Sequence, residues 1–554
     1  MLLKKPVLLS LLLNLLFLFV CLGIGGFHYG SLDDYFMSAI VTGAYGGEFD
    51  AHTLFVNGAY AYFLRPFYAI LPGVGWYFIF ELLAVFASFS SITCCLLKKQ
   101  ANTFGIVIGI FVLGCLTPAF YLQLGFTQCA AILTAAGILQ IYTGNVEKKW
   151  QYFVLGVFSL ISGIVFRREA FLLGVPFLFA VLVFSWLEIK VVRKRIVAAL
   201  LLCFCAYWGL QEFNQTLYRN GEYSYYLAYQ GPRAMLGDGA YYDSGNVFDE
   251  LEERGASGRD FDLLQRWVFY DKEVFCLDSL APIVNAIQRN RYDLNYAKLP
   301  VALFLVVAKS FFCVNAWCWG VLCLLLFMMF PKRASWYAWG SLLLMSLCLS
   351  YLLLQNRVVG YVENSIWLYA IASAIPFFEK NALLNQRKIE RLLGLIGCLS
   401  IGCFCFAFMT LPKIENDRML FGSPKKSMEL RQLVQHVHEH PDDVFLFPFN
   451  SYKEYALFDD ATYKSIAPNS LSNIIPLGYW NINLPGMEKE MAKRGVKNPI
   501  RDIVKENVFV LDEGNKLRLE EFYQRHYGFE VAIDTVQSFG NKKLLKYSIK
   551  ADNP

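Results

Sequence analysis

The chain has 554 residues, of which 56% are hydrophobic and only 17% are charged, and its mean hydropathy is +0.40. This balance is typical of membrane proteins with many spans and excludes an ordinary soluble domain as the whole protein. The net charge of +5 is small and falls in a few loops, so the sequence gives no case for nucleic-acid binding.

Eleven apolar runs are long enough to cross a bilayer, some only with tilt, because about 20 helical residues cover the hydrocarbon core. They lie at about 6–27, 76–97, 104–122, 125–143, 151–166, 170–187, 196–212, 311–330, 334–354, 364–378 and 392–411. The first run follows Lys4 and Lys5, as in a signal peptide, but has no small-residue cleavage site, so we interpret it as a retained anchor. Residues 297–308 are too short to cross alone and are either interfacial or an extended start of the eighth span.

Positive charge predicts how these spans are oriented. The basic clusters alternate along the chain so that all of them fall on one side of the membrane, at residues 4–5, 98–99, 148–149, 190–195, 332–333 and 380–391. By the positive-inside rule that side is the cytoplasm. We therefore expect a multi-pass protein of the cell membrane with a cytoplasmic N-terminus and an extracytoplasmic C-terminal domain.

Two long connections fall on the predicted outer face. The first, residues 28–75, is rich in Tyr, Phe and Gly, and the segments 34–45 and 54–65 suit short helices lying against the bundle. The second, residues 213–299, is far more polar. It is either a solvated loop with short helices or a segment that contacts substrate.

From Pro412 onward the composition is that of a soluble domain of about 140 residues, enough for a small core. Helices are predicted at 427–440, 498–506 and 516–527, and strands at 444–447, 507–511, 529–537 and 543–549. Asn498 and Pro499 provide a cap and a first-turn proline for the second of these helices. The predicted organisation is a polytopic α-helical membrane domain, 1–411, followed by an extracytoplasmic α/β domain, 412–554.

Two adjacent carboxylates, Asp33 and Asp34, follow the first span, where lipid should give way to water. Such a pair is either a helix-capping feature or a source of a general base, and charged groups kept at membrane depth favour a functional role. In a close pair, repulsion and desolvation raise the proton affinity of one member, which suits a base.

Four arginines are predicted on the same outer face, and guanidinium groups match the oxygens of a phosphate in pairs. They are Arg65, Arg167, Arg168 and Arg357. The alternative for each arginine alone is interfacial snorkelling. Taken together, they predict a site for an anionic lipid headgroup next to a carboxylate.

Other polar residues give weaker signals. His52, in the first outer loop, is a candidate for substrate binding, for a metal held together with carboxylates, or for a plain interfacial hydrogen bond. His436, His438 and His440 are predicted on a solvated helix face. All cysteines except Cys276 lie in or beside apolar segments, and no Cys/His spacing resembles a zinc site, so neither disulfides nor zinc are expected. We expect no cofactor, with a divalent metal as the alternative.

The layout resembles the GT-C superfamily of membrane glycosyltransferases. The resemblance rests on Asp-Asp-Tyr at 33–35 in a long first outer loop, on about eleven spans, on the arginines between the fifth and sixth spans, and on the outer α/β domain. Bacterial members that decorate surface polysaccharides are the most similar in layout. Such enzymes take a sugar from a polyprenyl-phosphate carrier, with a first-loop Asp as base. Many members have Asp-Glu instead of Asp-Asp, and we see no acidic metal pair in the second outer loop, which favours metal-independent, inverting transfer.

The resemblance implies roles for individual residues. Asp33 would be the base on the acceptor hydroxyl, with Asp34 orienting the acceptor or Asp33, and Arg167 or Arg168 would lie near the carrier phosphate. The expected substrate-binding residues are Tyr35, His52, Arg65, Arg167, Arg168, Glu169 and Arg357. The expected partners are a polyprenyl-phosphate-linked sugar, an acceptor that is an envelope polysaccharide, a teichoic-acid-like polymer or a glycolipid, and the lipid bilayer.

Two other functions share parts of this layout. A polysaccharide polymerase or ligase that uses a lipid-linked oligosaccharide would have similar spans and arginines. A lipid or sugar transporter of the flippase type would place charges in broken helices near the midplane, within related halves, and neither feature is visible in the sequence. A monosaccharide on a monophosphate carrier would indicate the transferase, whereas an oligomer on a diphosphate would indicate the polymerase or ligase.

Overall fold

The computed structural model describes residues 5–26, 28–188, 193–219, 221–237, 242–254, 258–292, 298–310, 312–355, 358–379, 386–410, 424–458, 462–512, 517 and 519–550. The helices, numbered in chain order, are α1 Pro6–Gly25, α2 Leu32–Val41, α3 Gly58–Ile70, α4 Trp76–Lys99, α5 Thr103–Tyr121, α6 Phe126–Val146, α7 Trp150–Phe166, α8 Arg168–Glu188, α9 Arg193–Tyr218, α10 Glu222–Gly237, α11 Ser244–Glu253, α12 Gly258–Gln265, α13 Leu277–Arg289, α14 Leu299–Ser310, α15 Val314–Met329, α16 Pro331–Leu354, α17 Gly360–Ser373, α18 Gln386–Thr410, α19 Pro424–Glu439, α20 Phe449–Phe458, α21 Pro485–Lys493 and α22 Leu519–Tyr527. Short 3₁₀ helices occur at Ile375–Phe377 and Arg501–Val504, and the strands are β1 Val444–Phe447, β2 Ile474–Pro476, β3 Val508–Asp512, β4 Val531–Phe539 and β5 Lys542–Ile549.

The apolar runs of the sequence fold as helices. Within the described part of the chain, six helices are long and apolar enough to cross a membrane, or seven if α14 and α15, which meet at 88°, form one bent span. The six are α1, α4, α5, α6, α9 and α16. The protein is therefore a mostly helical chain with six or seven candidate spans, and the number of eleven spans stays a prediction.

Helix α6 lies at the centre of the bundle, because 94% of the residues in its apolar segment are buried. Helix α1 lies at the rim, where only 17% of the corresponding residues are buried. The contact of α6 with α7 depends on two glycines that let the backbones meet. A Cβ atom on Gly137 would lie 2.8 Å from the carbonyl oxygen of Gly156, and one on Gly156 would lie 2.9 Å from that of Gly137. Small residues serve this purpose in membrane helix packing, because no hydrophobic effect drives helices together within lipid.

The C-terminal domain contains a five-stranded mixed sheet in the order β2-β1-β3-β5-β4. Strand β1 pairs in parallel with β2 and β3, while β3, β5 and β4 pair antiparallel. The predicted strands are confirmed with shifts of a few residues, and β2, α20 and α21 are additional. The predicted helix from Asn498 is only the 3₁₀ turn Arg501–Val504. Within this turn, the Asp502 carboxylate accepts hydrogen bonds from the amides of Lys497 and Asn498, which precede the turn.

The two long connections that are predicted on the outer face, called the outer connections below, pack against the C-terminal domain. The first connection is paired by its backbone, because the amides of Asn469 and Leu471 donate to the carbonyl oxygens of Gly43 and Ala44. The second connection contains the helices α10 to α13, and the amides of Phe269 and Tyr270 donate to Leu477. The three segments predicted on one face therefore form one continuous body, and the second connection is a packed segment.

Three of the basic clusters, at residues 98–99, 148–149 and 332–333, have contacts that link the other ends of the helices. Lys98 and Lys149 lie 2.7 and 3.7 Å from the carboxylate of Glu147. Gln100, which follows α4, donates to the backbone carbonyl of Glu379, whose carboxylate lies 3.5 Å from Arg333. These contacts support the prediction that the basic connections share one side of the bundle. Which compartment that side faces stays a prediction.

Candidate active site

The start of α2 is pinned against the turn between α5 and α6. The amide of Gly30 donates to the carbonyl oxygen of Leu124 at 2.5 Å, and a Cβ atom on Gly30 would lie 2.4 Å from the backbone of Gln123, so a side chain does not fit there. Ser31 then caps α2 by accepting the amide hydrogen of Asp33. This local structure places both carboxylates in the first turn of α2, where the helix dipole favours negative charge.

Asp34 is fully buried and serves as a cap for a second helix. Its Oδ1 atom accepts hydrogen bonds from the Tyr77 hydroxyl at 3.2 Å and from the amide of Phe126, the first residue of α6, at 3.3 Å. Its Oδ2 atom has no donor among the described residues. Gly125 leaves room for this oxygen, because a Cβ atom there would approach Oδ2 to 3.0 Å.

The environment of Asp34 changes its acidity. Burial raises the pKa of its carboxyl group above the usual range, and the negative charge of Asp33 adds to this increase. The neighbouring carboxyl group of Glu81 and the hydrogen bonds from Phe126 and Tyr77 act in the opposite direction and lower this pKa. The net result is a raised pKa, which suits a group that must accept a proton near neutral pH.

A cavity of about 740 Å³ lies against Asp34. It is lined by the start of α2, the turn before α6, the bend between α14 and α15, and the start of α17. Polar and charged residues in its wall include Asp34, Thr127, Gln128, Lys309, Asn315 and Glu363. The volume is within the range of sites for small ligands and cofactors. Two carboxyl groups, Asp34 and Glu363, and one cation, Lys309, thus border the same partly open cavity.

Asp33 has a different environment from Asp34. Its Oδ1 atom accepts hydrogen bonds from the Tyr479 hydroxyl at 2.9 Å and from the Trp480 indole nitrogen at 2.8 Å, both of which belong to the C-terminal domain. Asp33 is not among the residues that line the cavity. The adjacent Tyr35 is buried and packs edge-on against the Phe36 ring. Asp33 therefore joins the first outer connection to the C-terminal domain.

Arg167 reaches the wall of the cavity. Its Nη1 atom donates to the Thr127 hydroxyl at 2.8 Å, and its guanidinium group lies 4.8 Å from the centre of the Phe126 ring. Both of these neighbours line the cavity. The expectation that Arg167 or Arg168 lies near a carrier phosphate stays a prediction.

The remaining predicted residues lie elsewhere. Arg168 donates to Glu169 at 2.7 Å, and both side chains are at least half exposed. Arg65 is exposed and stacks over the Phe49 ring at 5.0 Å. Arg357 lies outside the described residues. Among the described arginines that were predicted, only Arg167 contacts residues of the cavity wall.

His52 joins the first outer connection to α9 and α10. Its Nδ1 atom lies 2.5 Å from Oδ1 of Asp50, its Nε2 atom lies 3.1 Å from the carbonyl oxygen of Leu217, and its ring stacks on Tyr223. These contacts match the interfacial hydrogen-bonding alternative. In the described ranges, no group of three or more His, Cys, Asp or Glu residues is arranged to hold a metal ion.

No known protein-family model matches this sequence, and no curated protein is significantly similar to it. The function is therefore argued from the cavity and the residues around it.

Several residues of this site were not predicted. Glu81 is a fully buried carboxyl group on α4 next to Asp34, and a single acidic residue inside an apolar run is a signal that could have identified it. Lys309 ends the short apolar segment that precedes the α14–α15 bend. Tyr479 and Trp480 had no such signal, since their contacts with Asp33 join residues more than 400 positions apart.

Proposed function

We propose that this protein is a membrane-embedded glycosyltransferase of the GT-C type. It moves a sugar from a polyprenyl-phosphate carrier to a hydroxyl group of a cell-envelope glycan or glycolipid at the outer face of the membrane. The observation that carries the proposal is Asp34, a buried carboxyl group with an oxygen that lacks a described donor, at the wall of a cavity of about 740 Å³ that also contains Lys309.

The base is the first role to assign. A sugar hydroxyl is a poor nucleophile, so a carboxylate must accept its proton as the anomeric carbon is attacked. The sequence-based prediction gave this role to Asp33, but Asp33 already accepts two hydrogen bonds, and such bonds stabilise its charged form and weaken it as a base. Asp34 borders the cavity and has a raised pKa. We therefore assign the base to Asp34 and the anchoring of α2 to Asp33.

The carrier phosphate needs positive charge. Lys309 lines the cavity, and Arg167 contacts Phe126 and Thr127 of its wall. Preorganised cations in a partly dry site stabilise the charge that grows on a leaving phosphate. Lys309 is placed to contact the phosphate directly, and Arg167 adds a second charge from the wall.

The bonds, electrons and proton of this transfer are all accounted for by the donor, the acceptor and Asp34. The acceptor oxygen forms a bond to the anomeric carbon as the bond from that carbon to the carrier phosphate oxygen breaks. The electron pair leaves with the polyprenyl phosphate, and the hydroxyl proton passes to Asp34. Attack from the side opposite to the phosphate inverts the anomeric centre.

A comparison of lipid-linked sugar donors tests this proposal. Purified protein in proteoliposomes is incubated with membrane glycan acceptors and either polyprenyl-monophosphate sugars or a polyprenyl-diphosphate oligosaccharide. We expect sugar transfer and release of free polyprenyl phosphate with at least one monophosphate donor. Transfer from the diphosphate oligosaccharide alone would instead indicate a polymerase or ligase. Movement of lipid across the bilayer without any transfer would indicate a transporter.

A further inference from the structure

The carboxyl group of Glu81 lies within hydrogen-bonding reach of the carboxyl group of Asp34. Both side chains are fully buried. Neither oxygen of Glu81 has a donor among the described residues, and the same holds for Oδ2 of Asp34. Two ionised carboxylates have no hydrogen to share. The pair therefore lacks a hydrogen bond unless one member carries a proton.

The groups that face this pair do not neutralise two negative charges. Those acting on it from the surrounding elements are Asp33 on α2, Tyr29 before α2, Tyr60 and Tyr68 on α3, Tyr77 on α4, and Cys129 on α6. Phenols and thiols are neutral near pH 7, and Asp33 adds a negative charge. Arg167, at the adjoining wall, donates to Thr127. Lys309 lines the same cavity as Asp34, and this single cation can balance only one of the two negative charges. Two neighbouring carboxyl groups in such a site cannot both be ionised.

We infer that Glu81 is a protonated positioning residue, whose hydroxyl hydrogen is donated to Oδ2 of Asp34. Each carboxylate oxygen accepts more than one hydrogen bond, so Oδ2 still has a lone pair for an acceptor hydroxyl. The Glu81 proton stays in place during transfer, while the acceptor proton passes to Asp34. The catalytic consequence rests on the proposed function, whereas the protonation of Glu81 does not.

Two substitutions show whether Glu81 acts as a hydrogen-bond donor or through a negative charge. Glu81→Gln keeps a donor that is uncharged at every pH, and Glu81→Leu removes the donor but fills the space. We expect kcat of E81Q to stay within about threefold of wild type, and kcat of E81L to fall about tenfold or more. The acid limb of the pH–rate profile should move to higher pH in E81L by about one unit, because Asp34 loses a bond that stabilises its charge. A merely structural role would lower the E81L rate without moving the limb.

Glu147→Gln is the matched control, because Glu147 forms an ion pair with Lys98 at the opposite end of the bundle. It should leave the acid limb in place. If E81Q loses as much activity as E81L, the negative charge of Glu81 is required and the inference is overturned. The same conclusion follows if E81L keeps both the rate and the profile of the wild type.

Infrared spectroscopy tests the protonation without a substrate. A protonated carboxyl group has a carbonyl band separate from those of carboxylates, and exposed acids are ionised at neutral pH. At about pH 9, where Asp34 with its pKa of about 8 is ionised, we expect this band in the wild-type protein and in E147Q and a loss of its intensity in E81Q. A wild-type spectrum without the band, or an unchanged band in E81Q, would overturn the inference. An active D34N variant would contradict the proposed function instead, and the infrared result would still decide the state of Glu81.

Discussion

At the scale of single residues, the burial of Asp34 gives the raised pKa that suits a base but lowers the stability of the fold when this carboxyl group is ionised. Its raised pKa means that the folded protein holds this proton more tightly than the unfolded chain does. The resulting contribution to the free energy of unfolding is fully present below the unfolded-state pKa of about 3.9 and is lost as the pH rises through the folded-state value.

Asp34→Asn should therefore stabilise the protein in a pH-dependent manner. The amide is uncharged at every pH, so its melting temperature should exceed that of the wild type by an amount that grows between about pH 4 and about pH 8. Each unit of raised pKa corresponds to about 1.4 kcal/mol. Thermal unfolding of the detergent-purified proteins across this range measures the difference. A difference in melting temperature that is independent of pH, or one that shrinks as the pH rises, would show that the pKa of Asp34 is not raised in the folded protein.

Arg167 and Arg168 are adjacent in sequence but differ in their contacts, and this difference yields a second prediction. Arg167→Ala removes a cation from the cavity wall, so the KM for the lipid donor should rise about tenfold or more. Lysine at the same position should rescue only part of the loss, since it lacks the planar guanidinium group. Arg168→Ala is the control, because Arg168 pairs with Glu169 at the surface and should leave KM unchanged. Equal effects of the two alanine variants would count against the assignment.

At the scale of elements, the C-terminal domain contacts the start of α2 through the Asp33 carboxylate and through the Phe36 ring, which stacks on Tyr452. Tyr479 and Trp480 both donate to Asp33, and hydrogen bonds to a charged group contribute about 1.5–3 kcal/mol each. Tyr479→Phe should therefore loosen α2 and lower kcat about tenfold, and the double variant with Trp480→Phe should lower it further. Tyr463→Phe, at an exposed ring, should have the parental rate. Unchanged kcat in the double variant would mean that this contact does not position the base.

The elements also show what a sequence can and cannot predict. The apolar runs fold as helices because hydropathy is a local property, and strands β1 and β3 were identified by their own apolar residues. Strand β2 has only three residues, too few for a pattern, and it exists because β1 lies next to it. In the same way, the acidic pair was found from its position after α1. Which of the two carboxylates acts as the base depends on long-range contacts. The sequence alone favours Asp33 for this role, whereas the contacts favour Asp34.

At the scale of the whole molecule, both outer connections and the C-terminal domain form one body, so a single reporter establishes their side of the membrane. Cys276 lies at the start of α13 in the second connection and is partly exposed. Hydrogen bonds from the side chain and the amide of Ser279 lower the pKa of its thiol, which increases the reactive thiolate.

A membrane-impermeant maleimide should label Cys276 in intact cells. The exposed cysteines Cys205, Cys398 and Cys405 lie on apolar helices that are predicted to face lipid, where a water-soluble reagent does not reach them. Cys313 is also partly exposed and lines the cavity, so the experiment is done in a Cys313→Ser background. In that background Cys276→Ser should abolish the labelling in intact cells and serves as the control. Labelling that occurs only after lysis would invert the predicted orientation and place the cavity on the cytoplasmic side.

The most direct measurement is the turnover of Asp34→Asn and Asp33→Asn with a polyprenyl-monophosphate sugar as donor. Asparagine keeps the shape of each side chain and removes its ability to accept a proton. If Asp34 is the base, turnover of D34N should fall about 100-fold or more, and D33N should lose less because it only weakens the anchoring of α2. A D34N variant that folds and transfers sugar at nearly the wild-type rate would contradict the proposed glycosyltransferase mechanism.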